Sequence, residues 1–127
     1  MDVLANHILL FVILFLQQEI FRRNKEICSR GYDIVMQETE GVGSLGLPDS
    51  CRPPNMFQVF VPDTLEKTNF DLKENDLGWY FYEAEKVWVI VGKFHQRPII
   101  RVSAQIYNCD DDYHKVAAAV NHFCKSV

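Results

Sequence analysis

The 127-residue chain has no nucleophile elbow, no Walker loop, no HExxH, no zinc-knuckle spacing and no N-x-[ST] sequon. These absences remove the common short signatures of acyl transfer, nucleotide hydrolysis and zinc hydrolysis. They also leave a secretory route without support from glycosylation. The four cysteines include no CxxC pair, and their spacings of 23, 58 and 15 residues do not suit zinc, whose ligands come in close pairs. No Lys or Arg precedes the first apolar block, and no small residues follow it to form an A-x-A-type cleavage site. A formal charge of −4 lacks the basic excess that a general nucleic-acid binder needs.

Other signals are present in form only. Gly41, Gly43 and Gly46 spell GxGxxG, but Pro48, Pro53 and Pro54 forbid the helix that would offer its amides to a pyrophosphate. No dinucleotide and no other cofactor is expected. His114 and His122 stand eight residues apart, about two helical turns, too far to share one ion easily. Asp110, Asp111 and Asp112 lack the glycine and terminal glutamate of a calcium loop. No metal is expected.

What the chain does contain is an ordinary globular mixture, 48% apolar and 24% charged, with nine Phe, five Tyr and two Trp for a core. The length allows one domain. Residues 1–21 stand apart from it. Ile8 to Leu16 is an uninterrupted apolar block, followed by Arg22 and Arg23. Its length suits the h-region of a signal peptide better than the ~20 residues of a transmembrane helix. An uncleaved anchor and a buried core helix over residues 3–27 are the other two readings.

Residues 22–127 form the expected domain. Tyr32 to Met36 is a short strand candidate, and residues 41–55 form a loop rich in Gly and Pro. Residues 56–63 alternate as a strand, and residues 64–77 read as a long polar connection. Trp79–Ala84 and Lys86–Val91 read as a tight hairpin. Ile99–Tyr107 alternates most cleanly, with Ile100, Val102, Ala104 and Ile106 on one face. The aspartates then provide an N-cap, and Tyr113, Val116, Ala117, Val120, Phe123 and Cys124 form the stripe of an amphipathic helix. The expected fold is α+β: a four-stranded antiparallel β-meander with the C-terminal helix on one face, stapled by two disulfides. Three pairings of the cysteines are open. The expected one joins Cys28 to Cys124 and Cys51 to Cys109, each stabilising by roughly 3–4 kcal/mol on the chain-entropy model.

The segments FYEAEKV, RPIIRV and KVAAAVNHF resemble, in order, the Glu, Arg and His strands of small fungal guanyl-specific ribonucleases. They also resemble catalytically dead ribonuclease-like effectors of plant-pathogenic fungi. The resemblance implies catalytic counterparts at Glu83, Arg101 and His122, a disulfide to Cys124, and RNA as a substrate. The carboxylate would deprotonate a 2′-hydroxyl, the imidazole protonate the leaving oxygen, and the guanidinium hold the phosphate.

The residues themselves predict a small secreted, disulfide-stabilised, non-enzymatic binding module whose partner is another protein. The contact surface would be the exposed sheet face, with Arg101, Ser103 and Gln105 in a row and His95 and Arg97 in the turn beside it, or the 41–55 and 92–98 loops. A ribonuclease-like protein and a cytoplasmic interaction domain are the alternatives. Contact with a membrane would arise only through the N-terminal segment, if uncleaved.

Overall fold

The computed structural model describes residues 2–39, 43–44, 46, 48, 51–61, 76–95 and 97–126. Helix α1 runs from Val3 to Glu38, 36 residues or ~54 Å at 1.5 Å per residue. It is free of proline, opens with Asp2 accepting the Leu4 N–H, and closes where Thr39 turns back onto the Val35 carbonyl. Strand β1 (Gly43–Ser44) is two residues long, β2 is Met56–Phe60, α2 is Asp76–Glu85, β3 is Ile90–Phe94, β4 is Arg97–Ser103, and α3 is Asp110–Ser126.

Three full strands make one antiparallel sheet, with β4 between β2 and β3 and the short β1 along the outer edge of β2. Alternation assigns the faces. Phe57, Val59, Ile100 and Val102 are buried on one side, while Gln58, Phe60, Ile99 and Arg101 lie on the other, half-exposed. The three described helices cover the first side, with α3 in the middle, α1 against one flank of it and α2 against the other. Phe81 of α2 meets Phe123 of α3 edge-on, and Phe57 of the sheet packs on Tyr113.

Helix α1 has two unlike halves. From Asn24 onward the buried positions are Asn24, Cys28, Gly31 and Val35, a 4-3-4 spacing that gives one seam along a helix. That seam lies on α3. Gly31 is needed there: a Cβ at this position would come within 2.6 Å of the Tyr113 ring. Before Asn24 no apolar residue is buried, and the helix continues beyond the domain.

The structure corrects the expected fold. There is no four-stranded meander, because Trp79–Ala84 lies in α2 and β4 inserts between β2 and β3. The strand expected at Tyr32–Met36 is part of α1, and the strand after α2 starts at Ile90 rather than Lys86. In Trp79–Ala84 no polar–apolar alternation exists to favour a strand. The following Glu83-Ala84-Glu85 are good helix formers, and Lys86, at φ 57°, ends the helix with its N–H on the Tyr82 carbonyl. The C-terminal helix forms where expected, and Tyr113, Val116, Ala117, Val120 and Phe123 are all buried. Most of the connection expected at 64–77, and Gly41 of the glycine motif, lie outside the described residues.

No disulfide joins Cys28, Cys51, Cys109 or Cys124. The reason for the first expected pair is geometric. Tyr113 sits against Gly31, and Cys124 lies eleven residues further along α3, ~16 Å away, whereas a disulfide needs Cα atoms within about 7 Å. The core is held by apolar packing instead.

Two outcomes follow from this packing. Gly31→Ala forces a methyl group into the Tyr113 ring and should destabilise the domain by about 1–3 kcal/mol, read as a lowered denaturant midpoint. A thiol reductant should leave the melting temperature unchanged, and the intact mass should match four thiols. A mass two protons lighter per bond would contradict the cysteine assignment.

Candidate functional site

The largest departure from ordinary surface chemistry is the first half of α1. Thirteen large apolar residues between Val3 and Phe21 are exposed, each with 40–71% of its surface accessible. They point in every direction around the axis, since Ile8 to Leu16 is continuous. A helix apolar on all sides is stable only when surrounded by apolar material. This one is long and apolar enough to cross a membrane, and none of its apolar window is buried inside the chain.

The junction with the domain is continuous helix carrying ion pairs. Arg22 bridges back to Glu19 and forward to Glu26, and Arg23 also reaches Glu19 at 3.2 Å, so ion pairs straddle the boundary expected near residue 21. Asn24 is the first buried residue. Its Nδ2 donates to Gln105 Oε1 at 3.4 Å, while its buried Oδ1 has no hydrogen-bond partner among the described residues. Gln105 is held in turn by Asn108, whose Oδ1 accepts the Gln105 N–H at 2.9 Å. Arg30 then pairs with Asp110.

The expected binding residues are spread over the domain. His95 sits in the β3–β4 turn at φ 48°, beside Phe94. Arg97 lies 4.1 Å above the Phe60 ring on the open sheet face. Arg101 occupies the middle of that face between Ile90 and Gln58, and exposed Ser103 ends β4 opposite Met56. Gln105 is not in this row: β4 stops at Ser103, and Gln105 belongs to the junction with α1. Ile106, expected inward, is exposed for the same reason.

The ribonuclease-like set is not assembled. Glu83 is exposed on α2, and His122 is on the outer side of α3. Arg101 is on the face turned away from α3, so the sheet stands between it and His122. Residue 122 is on a helix, where the resembled ribonucleases carry their His on a strand.

Two features escaped the sequence reading. Trp79, Tyr82 and Trp88 form a mutually perpendicular cluster with centroids 5.7–6.3 Å apart, and all three are exposed. Their closeness along the chain is the signal for the cluster, whereas a strand over Trp79–Ala84 would put Trp79 and Tyr82 on opposite faces. The other is the Ile106–Tyr107 turn, where Tyr107 is 80% exposed.

Among the described residues no cluster of His, Cys, Asp or Glu is arranged to hold a metal. Asp112 instead accepts the Cys109 N–H and an Asn108 amide hydrogen, which holds its carboxyl below the usual range and caps α3 from its third residue. His114 Nδ1 lies 2.7 Å from Glu38, and that hydrogen bond raises the imidazole above its ordinary 6.5.

Because the folded-state pKa of His114 is raised, its contribution to stability is complete below pH 6.5 and is lost as pH rises through the folded value. His114→Ala should therefore be less stable than wild type in acid, with the gap closing above neutrality. Denaturant titrations across about pH 5–9 check this, and the effect should be small because both side chains are exposed. No protein-family model, curated protein or solved structure matches this chain.

Proposed function

We propose that this protein is a membrane-anchored, non-enzymatic binding module, held to a bilayer by α1 and presenting its open sheet face to a protein partner. The observation that carries this reading is the exposed apolar half of α1, continuous with the helix that builds the domain core. Val3 to Phe21 spans ~28 Å, close to the ~30 Å hydrocarbon thickness of a bilayer. Leaving thirteen large apolar side chains in water has no compensating contact elsewhere in the described residues.

Arg22, Arg23 and Lys25 cluster at the domain end of the segment. Cations beside a span favour the cytoplasmic side, and neighbouring acids offset this little. The domain then lies in the cytoplasm. Four cysteines without a disulfide fit a reducing compartment. The helix is also unbroken across residues 16–21, where a signal peptide would be cut.

The open face supports the binding part of the reading. Arg101 lies between Ile90 and Gln58, flanked by Phe60 and Ile99, and no described element covers it. Apolar side chains around an arginine suit a protein surface carrying carboxylates. Glu83, Arg101 and His122 stand on separate surfaces, which supports a non-catalytic role.

The full chain should remain in the membrane pellet after an alkaline carbonate wash, and a chain lacking residues 2–21 should move to the supernatant with its fold intact. A membrane-impermeant maleimide should label exposed Cys109 only after cells are permeabilised. Labelling of intact cells would overturn the orientation. A mature protein shortened by about twenty residues would overturn the anchor.

A further inference from the structure

The end of the domain that α1 leaves carries an unusual set of exposed side chains. Contacts along α1 give the direction. Cys28 lies by Pro53 and Tyr32 packs on Phe57, so α1 runs parallel to β2. Asn24 reaches Gln105, Arg30 reaches Asp110 and Glu38 reaches His114, so α1 also runs in the same sense as α3. The turn between β4 and α3 is therefore the end of the domain nearest the apolar half of α1. Ile106 and Tyr107 occupy that turn, 51% and 80% exposed.

The sheet register brings a second group to the same end. β3 is antiparallel to β4, with Ile90 opposite Arg101. Trp88, two residues before Ile90, therefore falls level with Ser103, the last residue of β4. Trp79 and Tyr82 stack edge-on against Trp88. Four exposed aromatic residues of the type that prefers the bilayer boundary thus collect at one end, with exposed Ile106 beside them. Charge there is partly answered within the chain, since Arg30 pairs with Asp110 and Asp112 is turned inward to the Cys109 N–H.

We infer that this end of the domain rests on the membrane, with Ile106, Tyr107 and the Trp79–Tyr82–Trp88 cluster inserted at the headgroup boundary. The inference rests on the anchor reading of α1 and adds a second contact to it. Asn24 follows Phe21 by three residues, ~4.5 Å along the helix, within the roughly 5–7 Å headgroup layer on each side of the hydrocarbon. The Asn24–Gln105 bond fixes the turn at that depth. The bilayer boundary supplies apolar surface for the rings and water or headgroup partners for the Tyr hydroxyls and Trp N–H groups. The domain then sits against the membrane with one orientation, and its sheet face is presented sideways.

The chain holds two tryptophans, and both belong to this cluster, so intrinsic fluorescence reads the contact without labels. The experiment places the full chain in phosphatidylcholine vesicles, confirms co-flotation, and compares quenching by lipids brominated near the headgroup and near the acyl terminus. The expected result is loss of most of the tryptophan signal with the shallow quencher and much less with the deep one. The double variant Ile106→Asp, Tyr107→Asp should still float with the vesicles and keep its circular dichroism, but lose most of the shallow quenching. Co-flotation with unquenched tryptophans overturns the second contact and leaves the anchor standing. Failure to float overturns both.

Discussion

The packing of Tyr113 against Gly31 is the contact from which the rest of the structure takes its position. The ring leaves no room for a Cβ at Gly31, packs at a tilt on Phe57 of β2, and its hydroxyl approaches the Ser103 carbonyl at 3.4 Å. One side chain thereby sets the spacing of α1 to α3 and of the helical layer to the sheet. Burial pushes its phenol well above the ordinary range, as expected for a ring enclosed by apolar atoms. With α3 located by this contact, α2 follows through Phe81 on Phe123, and the opposite face of the sheet is left open.

Legibility in the sequence tracked the strength of the hydrophobic period. The stripe from Tyr113 to Phe123 recurs at spacings of three and four, and the helix forms there. Met56–Phe60 and Ile100–Val102 alternate, and both are strands. Trp79–Ala84 has no period, because Phe81 is buried while Trp79 and Tyr82 are not, and its helix was invisible to an alternation argument. The seam Asn24, Cys28, Gly31, Val35 was harder still. It includes one polar residue and one glycine, so burial there depends on what α3 presents. The cysteines misled for a related reason: an even count says nothing about distance along a rigid helix.

The surface was less legible than the core. Arg101 and Ser103 could be placed on an outward face from alternation alone. Gln105 continues the same alternation on paper, but the strand ends two residues earlier, and its side chain is used to hold Asn24. The apolar block at residues 8–16 is plain in the sequence, where a signal peptide, an anchor and a core helix all fit it. The core-helix reading over residues 3–27 stops short of Glu38, and the charged run within it looks like a break but is an i, i+3 and i, i+4 ladder.

That continuity has a geometric consequence. A single helix from Val3 to Glu38 carries rotational phase as well as length. Each residue advances the helix by ~100°, so the direction in which the domain faces, relative to the apolar half, is set by the number of residues between them. Adding one residue near Arg23 would turn the whole α+β unit by more than a quarter of a revolution about the axis. Adding seven would nearly restore it, ~10 Å further out. The short charged stretch at residues 22–25 is thus a spacer whose length sets both the distance and the rotational phase between the apolar half and the α+β unit.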